Sequence, residues 1–320
     1  MPDLPVLGLI ATPVVLAAIA VEWWAVHTGR AAGRYCARDA LTSLVMGAGN
    51  VCLNAALAFL SLGGLALATK AHSFNLGVSL TTVITGYILH DFLYYWKHRA
   101  GHRMRWFWAE HVTHHSSGHD NLTTALRQPW TGPLTGLLFT GMPMILAGFP
   151  VSIVLGCSTV HLAYQLWIHT EAIGRLPGWV EAIFVTPSHH RVHHATNPNY
   201  LDRNFGGTLI IWDRLFKTFT PEDDEIETMY GIVVPLESHN PFVVAYHGCL
   251  GLFADFWRDG LRPTRWVKRA LNPPGWCPEG HHQRSEDIRR NWLFDSFEES
   301  ESAVSAPADA RLEAHQIAAE

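Results

Sequence analysis

Four stretches of this chain contain no Asp, Glu, Lys or Arg: residues 4–21, 40–69, 73–89 and 128–170. An α-helix needs about 20 predominantly apolar residues to cross roughly 30 Å of hydrocarbon. The first stretch, extended by Trp23 and Trp24 as interfacial aromatics, meets that length, and the second exceeds it. The opening Met-Pro-Asp-Leu-Pro lacks the basic region of a signal peptide, so the first stretch reads as an anchor even though Ala18-Ile19-Ala20 resembles a cleavage site. The third continues into a helix whose polar face fills with histidine. The fourth is too long for one crossing, and Gly148-Phe149-Pro150 near its middle is a turn signal, which predicts a helical hairpin. The expected fold class is all-α, an integral-membrane bundle of four or five membrane helices with a cytosolic helical cap.

Arg30, Arg34 and Arg38 lie between the first two apolar stretches, and Lys97, Arg99, Arg103 and Arg105 follow the third, whereas the second and third are separated only by Lys70. Basic loops stay in the cytosol, so residues 97–127 and everything from Glu171 onward are expected on that side of an inner or cell membrane. The division expected from these patterns is residues 1–75 as N-terminal transmembrane helices and 76–235 as a catalytic domain. Residues 236–297 follow as an amphipathic or peripheral segment, and 298–320, rich in Glu, Ser and Ala, as a disordered tail or frayed helix.

The formal net charge is −5 and the basic residues are dispersed, which leaves no stripe to neutralise successive phosphates and argues against nucleic-acid binding. Five widely spaced cysteines, with no Cys-x2-Cys pair, suggest reduced thiols rather than a disulfide framework.

Of twenty histidines, thirteen fall between His90 and His194, grouped at helical spacings. His98 and His102 are four apart. His111, His114 and His115 form His-x2-His-His, and His190, His193 and His194 repeat that spacing behind an additional His189. Offsets of three and four bring imidazoles to one helical face, where a shared metal is the partner that avoids charge repulsion among protonated rings. The eight histidines at 98, 102, 111, 114, 115, 190, 193 and 194 are therefore expected to coordinate metal. His169, nearest the cytosolic end of its stripe, is a further candidate ligand. His90 and His161 read as hydrogen-bonding residues that orient other imidazoles, and Asp91, Asn121, Gln165, Asp202 and Asn204 are polar residues suited to the same task.

A hydrolytic zinc site built on His-Glu-x2-His is absent, as is the pair of helical Glu-x2-His motifs of soluble di-iron bundles. Two ions in a mostly imidazole shell remain the best fit. The rival readings are a membrane zinc-dependent hydrolase and a non-catalytic membrane metal carrier.

The runs from His90 to His102, from His111 to Ser117 and from Thr186 to His194, followed by Asn204-Phe205-Gly206-Gly207 and Trp212-Asp213-Arg214-Leu215-Phe216, resemble the fatty acid hydroxylase and sterol desaturase superfamily. Within it, residues 121–128 and 165–171 are similar to the alkylglycerol monooxygenase-like branch. The resemblance implies two iron ions, O2 as co-substrate, a lipid drawn from the bilayer and hydroxylation or desaturation as the reaction. It also implies His189 in the functional set beside the eight. That branch's animal members use tetrahydrobiopterin and carry Glu directly after the second histidine of the first pair. Arg103 stands there instead, so pterin dependence does not carry over. With no Gly-x-Gly-x2-Gly loop in the chain, electrons are expected from a separate donor protein of ferredoxin or cytochrome type.

Overall fold

The computed structural model describes residues 4–70, 74–132 and 136–305. Among them all regular structure is helical, apart from two isolated bridges, Phe184 with Leu209 and Ala195 with Tyr230. In chain order the helices are α1 (Leu4–His27), α2 (Ala37–Lys70), α3 (Leu80–Arg103), α4 (Arg105–His115), α5 (Gly136–Leu146), α6 (Val151–Trp167), α7 (Gly178–Ile183), α8 (Pro187–His194), α9 (Ile211–Leu215), α10 (Pro241–Asp259), α11 (Pro263–Leu271) and α12 (Ser285–Ser305).

Helix α2 is the one described helix both long and apolar enough to cross a membrane, by length and composition, and shorter apolar helical stretches span Thr12–His27 and Val151–Trp167. Its side chains Val51, Phe59 and Leu67 are two-thirds exposed or more. The hairpin expected between 128 and 170 is present as α5 and α6, which turn at Gly148 with φ +92°, a left-handed conformation that suits glycine. Helix α12 runs to Ser305, so the first part of the expected tail is helical, and residues 306–320 lie outside the described residues.

Leu65 and Ala68 of α2 pack with Met144 and Ile145 of α5 and with Ile153, Val154 and Cys157 of α6, and Leu89 and Leu93 of α3 close the cluster. Small residues set these approaches: a Cβ on Gly86 of α3 would come within 2.9 Å of Ile153 and 3.2 Å of Phe149.

Helix α3 begins with a capping box, Ser79 and Thr82 exchanging side-chain and backbone hydrogen bonds. It ends at Met104, whose extended backbone (φ −132°, ψ 121°) breaks the rod and lets α4 fold back against α3. Helix α10 then lies along α4. Its buried Val244 and Ala245 accept a bond from the Thr113 hydroxyl through their carbonyls. Two buried carboxylates fasten the bundle at this end. Glu22 of α1 accepts from Tyr35, Thr170 and the Leu122 amide. Asp39 of α2 receives Arg127 at 2.6 Å and the Ser117 hydroxyl at 2.6 Å.

Candidate metal centre

Nine imidazoles from α3, α4, α8 and the turn after α6 converge in two groups. The first holds His98, His102, His111, His115 and His193; the second holds His114, His169, His190 and His194. Within each group the ligand-capable atoms lie within 4.8 Å of one another. The two His-x2-His-His runs divide in opposite ways. Helix α4 gives His111 and His115, one turn apart, to the first group and His114 to the second. Helix α8 gives His190 and His194 to the second and His193 to the first. The groups touch, with His115 and His194 stacked at a centroid distance of 4.4 Å.

Backbone carbonyls fix the tautomers of several rings. Nδ1 of His98 faces the Phe205 carbonyl at 2.8 Å, Nδ1 of His193 the Arg203 carbonyl at 2.9 Å, and Nδ1 of His169 the Gln165 carbonyl at 2.7 Å. A carbonyl only accepts, so each Nδ1 carries the proton and each Nε2 presents a lone pair. His102 is held similarly, its Nδ1 lying 3.4 Å from Asp202. Asp202 and Asn204 adopt left-handed backbone (φ 55° and 54°), a conformation Asp and Asn tolerate better than other non-glycine residues. They bracket Arg203 and place its carbonyl and that of Phe205 against the two rings. Asp213 anchors this loop by accepting from the Phe205 and Gly206 amides, both at 2.7 Å.

The Nε2 separations test whether a metal fits. They are 3.0 Å for His98–His111, 3.2 Å for His111–His115, 3.1 Å for His114–His169, 2.9 Å for His169–His190 and 3.1 Å for His190–His194. With metal–nitrogen bonds of about 2.1 Å, adjacent corners of an octahedron stand about 3.0 Å apart and those of a tetrahedron about 3.4 Å. These close pairs bring the nitrogens near enough for one ion to be shared within each group. Hydrogen bonds among the rings do not satisfy the set, because Nε2 of His102 and of His193 are buried without any partner. A cation in each group would engage these lone pairs together, and an all-imidazole donor set suits iron, copper, nickel or zinc. Burial, reinforced by neighbouring imidazoles, drives His111, His114, His115, His190, His193 and His194 well below the ordinary imidazole pKa, so they are neutral and competent to ligate.

His189 lies in neither group. Its Nδ1 accepts from the Thr186 amide at 3.4 Å as part of the capping box of α8, which leaves the proton on Nε2, 3.3 Å from Glu181. This is the opposite tautomer to that of His98, His169 and His193. His90 and His161 are also outside both groups. His90 meets the Ser158 hydroxyl at 3.0 Å, and His161 bridges Asp91 at 2.8 Å and Gln165 at 2.6 Å. Asp91 in turn accepts from the Thr208 and Leu209 amides and the Trp212 indole, tying α3 to the segment after α8. Gly207 fits only because it lacks a side chain: a Cβ there would fall 2.3 Å from the His161 ring.

Some supporting residues escape sequence reasoning. Arg127 is 1% exposed and fastens Ser43, Asp39 and Ser116. The only signal for it was a lone charge at the edge of a long apolar stretch. Arg103, which the sequence marked by its place directly after His102, reaches Asp202 at 3.1 Å and pairs with Glu286 of α12, contacts its position did not reveal.

The fatty acid hydroxylase family model matches residues 83–218, which contain every one of the nine converging histidines. This segment belongs to the fatty acid hydroxylase family. Over 188 residues the chain is 43% identical to an alkylglycerol monooxygenase of Xenopus tropicalis, a match covering 59% of the chain and 41% of the relative. It is 41% identical over 190 residues to that of Homo sapiens, with the same coverages. An ornithine lipid hydroxylase, OlsE of Rhizobium tropici, is 31% identical over 137 residues, covering 43% of the chain and 41% of the relative. The chain thus spans about two fifths of the length of these curated relatives. No solved structure matches it.

Proposed function

We propose that this chain is a membrane-bound di-iron oxygenase that uses O2 and reducing equivalents to hydroxylate a lipid. The observation that carries the reading is the pair of buried, converging imidazole groups, set inside a fatty acid hydroxylase segment. His98, His102, His111, His115 and His193 would hold one iron, and His114, His169, His190 and His194 the other. Bound there, the two ions supply activation of dioxygen for insertion of one oxygen atom into an unactivated C–H bond.

The chain's own residues prepare that chemistry. The carbonyls of Phe205, Arg203 and Gln165 hold the Nδ1 protons of His98, His193 and His169 and so keep their Nε2 lone pairs directed inward. Asp202 holds His102, and Arg103 with Glu286 holds Asp202. All nine rings are buried or nearly so, and Phe205 and Trp108 lie against them.

The lipid assignment rests on the activities named for the relatives and on the apolar exterior. Helix α2 has the length of a membrane span, and α10 presents Phe242, Tyr246, Leu250, Phe253 and Trp257 to the outside along one helical face. With Lys97, Arg99, Arg103 and Arg105 at the histidine-bearing end of α3, we place the centre at the cytosolic boundary of a four- or five-helix bundle. Arg103 is occupied by carboxylates at the position where pterin-dependent relatives are expected to carry Glu, which favours an electron-donor protein over tetrahydrobiopterin.

The test is purification with metal analysis, followed by incubation with O2, a reducing system and either alkylglycerols or ornithine lipids. Two irons per chain, oxygen uptake and a product heavier by one oxygen are expected. Zinc with no oxygen uptake would overturn the proposal.

A further inference from the structure

Beside the first histidine group lies a cavity of 60 Å³. His102, His115 and His193 form its inner end, and Ile232, Val233 and Ser285 belong to its outer wall. His115 is 4% exposed and His193 3%, whereas Val233 is 54% exposed, so the cavity leads from the imidazoles toward the surface. Of the nine converging imidazoles, the two whose Nε2 atoms lack any partner, His102 and His193, both line it.

Three features identify what it admits. Its volume has room for a few water-sized molecules and not for a lipid. Thr196, Asp202 and Ser285 give it polar walls that water can wet, alongside the apolar Trp108, Leu201 and Pro274. None of its lining residues belongs to α1, α2, α5 or α6, so it reaches the first group without passing between the apolar helices.

We propose that this cavity is the entry route by which small water-borne ligands, dioxygen among them, reach the first histidine group, separately from the path of the lipid. The proposal rests on the metal reading above. Ile232, Val233 and Ser285 lie outside residues 83–218, so the outer wall of this route is built by the chain beyond its matched segment.

Azide, a small anion that ligates ferric iron, probes the route directly and without turnover. Iron-loaded full-length protein is mixed with azide in a stopped-flow instrument and the rate of the new absorption band is followed. Val233→Trp and Ile232→Trp each introduce a side chain larger than the space available. They are expected to slow azide binding about tenfold or more while leaving iron content at the wild-type level. Val233→Ala, which widens the mouth, is expected to bind azide at least as fast as wild type and guards against a general folding defect. Unchanged azide rates in both tryptophan variants, with iron bound, would overturn the route alone. Failure of wild-type protein to bind iron would overturn the metal centre and the route with it, so the two failures are distinguishable.

Discussion

His189 and His190 are adjacent, equally buried and chemically identical, yet the structure gives them different work, and replacing each by Ala separates a ligand from a cap. His190 places Nε2 2.9 Å from that of His169 and 3.1 Å from that of His194, so His190→Ala removes one of four nitrogens from the second group. Substitution of a residue that merely orients a ligand costs 10- to 100-fold in metal affinity, so loss of a direct ligand is expected to cost more than about 100-fold. His189→Ala removes the capping contact to Thr186, the Nε2 contact with Glu181 and the ring contact with Phe219, none of which involves the converging nitrogens. Glu181 stays satisfied, since Ser188, Thr186 and the Leu176 amide still donate to it at 2.9–3.0 Å. The lost cap and buried contact together amount to about 1–3 kcal/mol of stability. Iron per chain, measured by elemental analysis, is expected to fall from two to one in His190→Ala and to remain two in His189→Ala, which instead unfolds at a lower temperature. Loss of an iron equivalent from His189→Ala, equal to that from His190→Ala, would refute the assignment of nine rings to two groups.

Asp202→Asn keeps the shape but weakens the hold on His102 and the pairing with Arg103; first-group iron affinity is expected to drop about 10- to 100-fold in a chelator competition, with the second group unaffected. Gly207→Ala forces a methyl group against the His161 ring and is expected to destabilise the protein by about 1–3 kcal/mol or more, read as a lowered thermal midpoint. Arg127→Leu leaves Asp39 buried without its cation and is expected to cost about 3–5 kcal/mol, again by thermal or denaturant unfolding; a loss below about 1 kcal/mol would contradict the buried pairing.

The sequence made the histidine pattern legible because helical geometry turns offsets of three and four into shared faces. It also made the α5–α6 hairpin legible, since Gly148 and Pro150 interrupt an otherwise uniform apolar run. The grouping of the rings was not legible. Whether His114 joins His111 or His190 depends on how α4 and α8 face each other, a tertiary fact no local spacing encodes. His189 looked like its neighbours because a capping imidazole and a ligating one differ only in which nitrogen faces inward. The carbonyls of Arg203, Phe205 and Gln165 left no trace at all, because every residue carries a carbonyl and only the backbone path decides where it points.

Helices α4 and α8 each send neighbouring residues to different groups: His114 and His115 on one, His193 and His194 on the other, with ring centroids 5.5 Å and 5.3 Å apart. Consecutive Cα atoms are held 3.8 Å apart by covalent bonds. Two short helices therefore act as paired rulers that write the spacing between the groups into the peptide repeat. A one-residue insertion between either pair would disrupt the whole centre rather than one half of it.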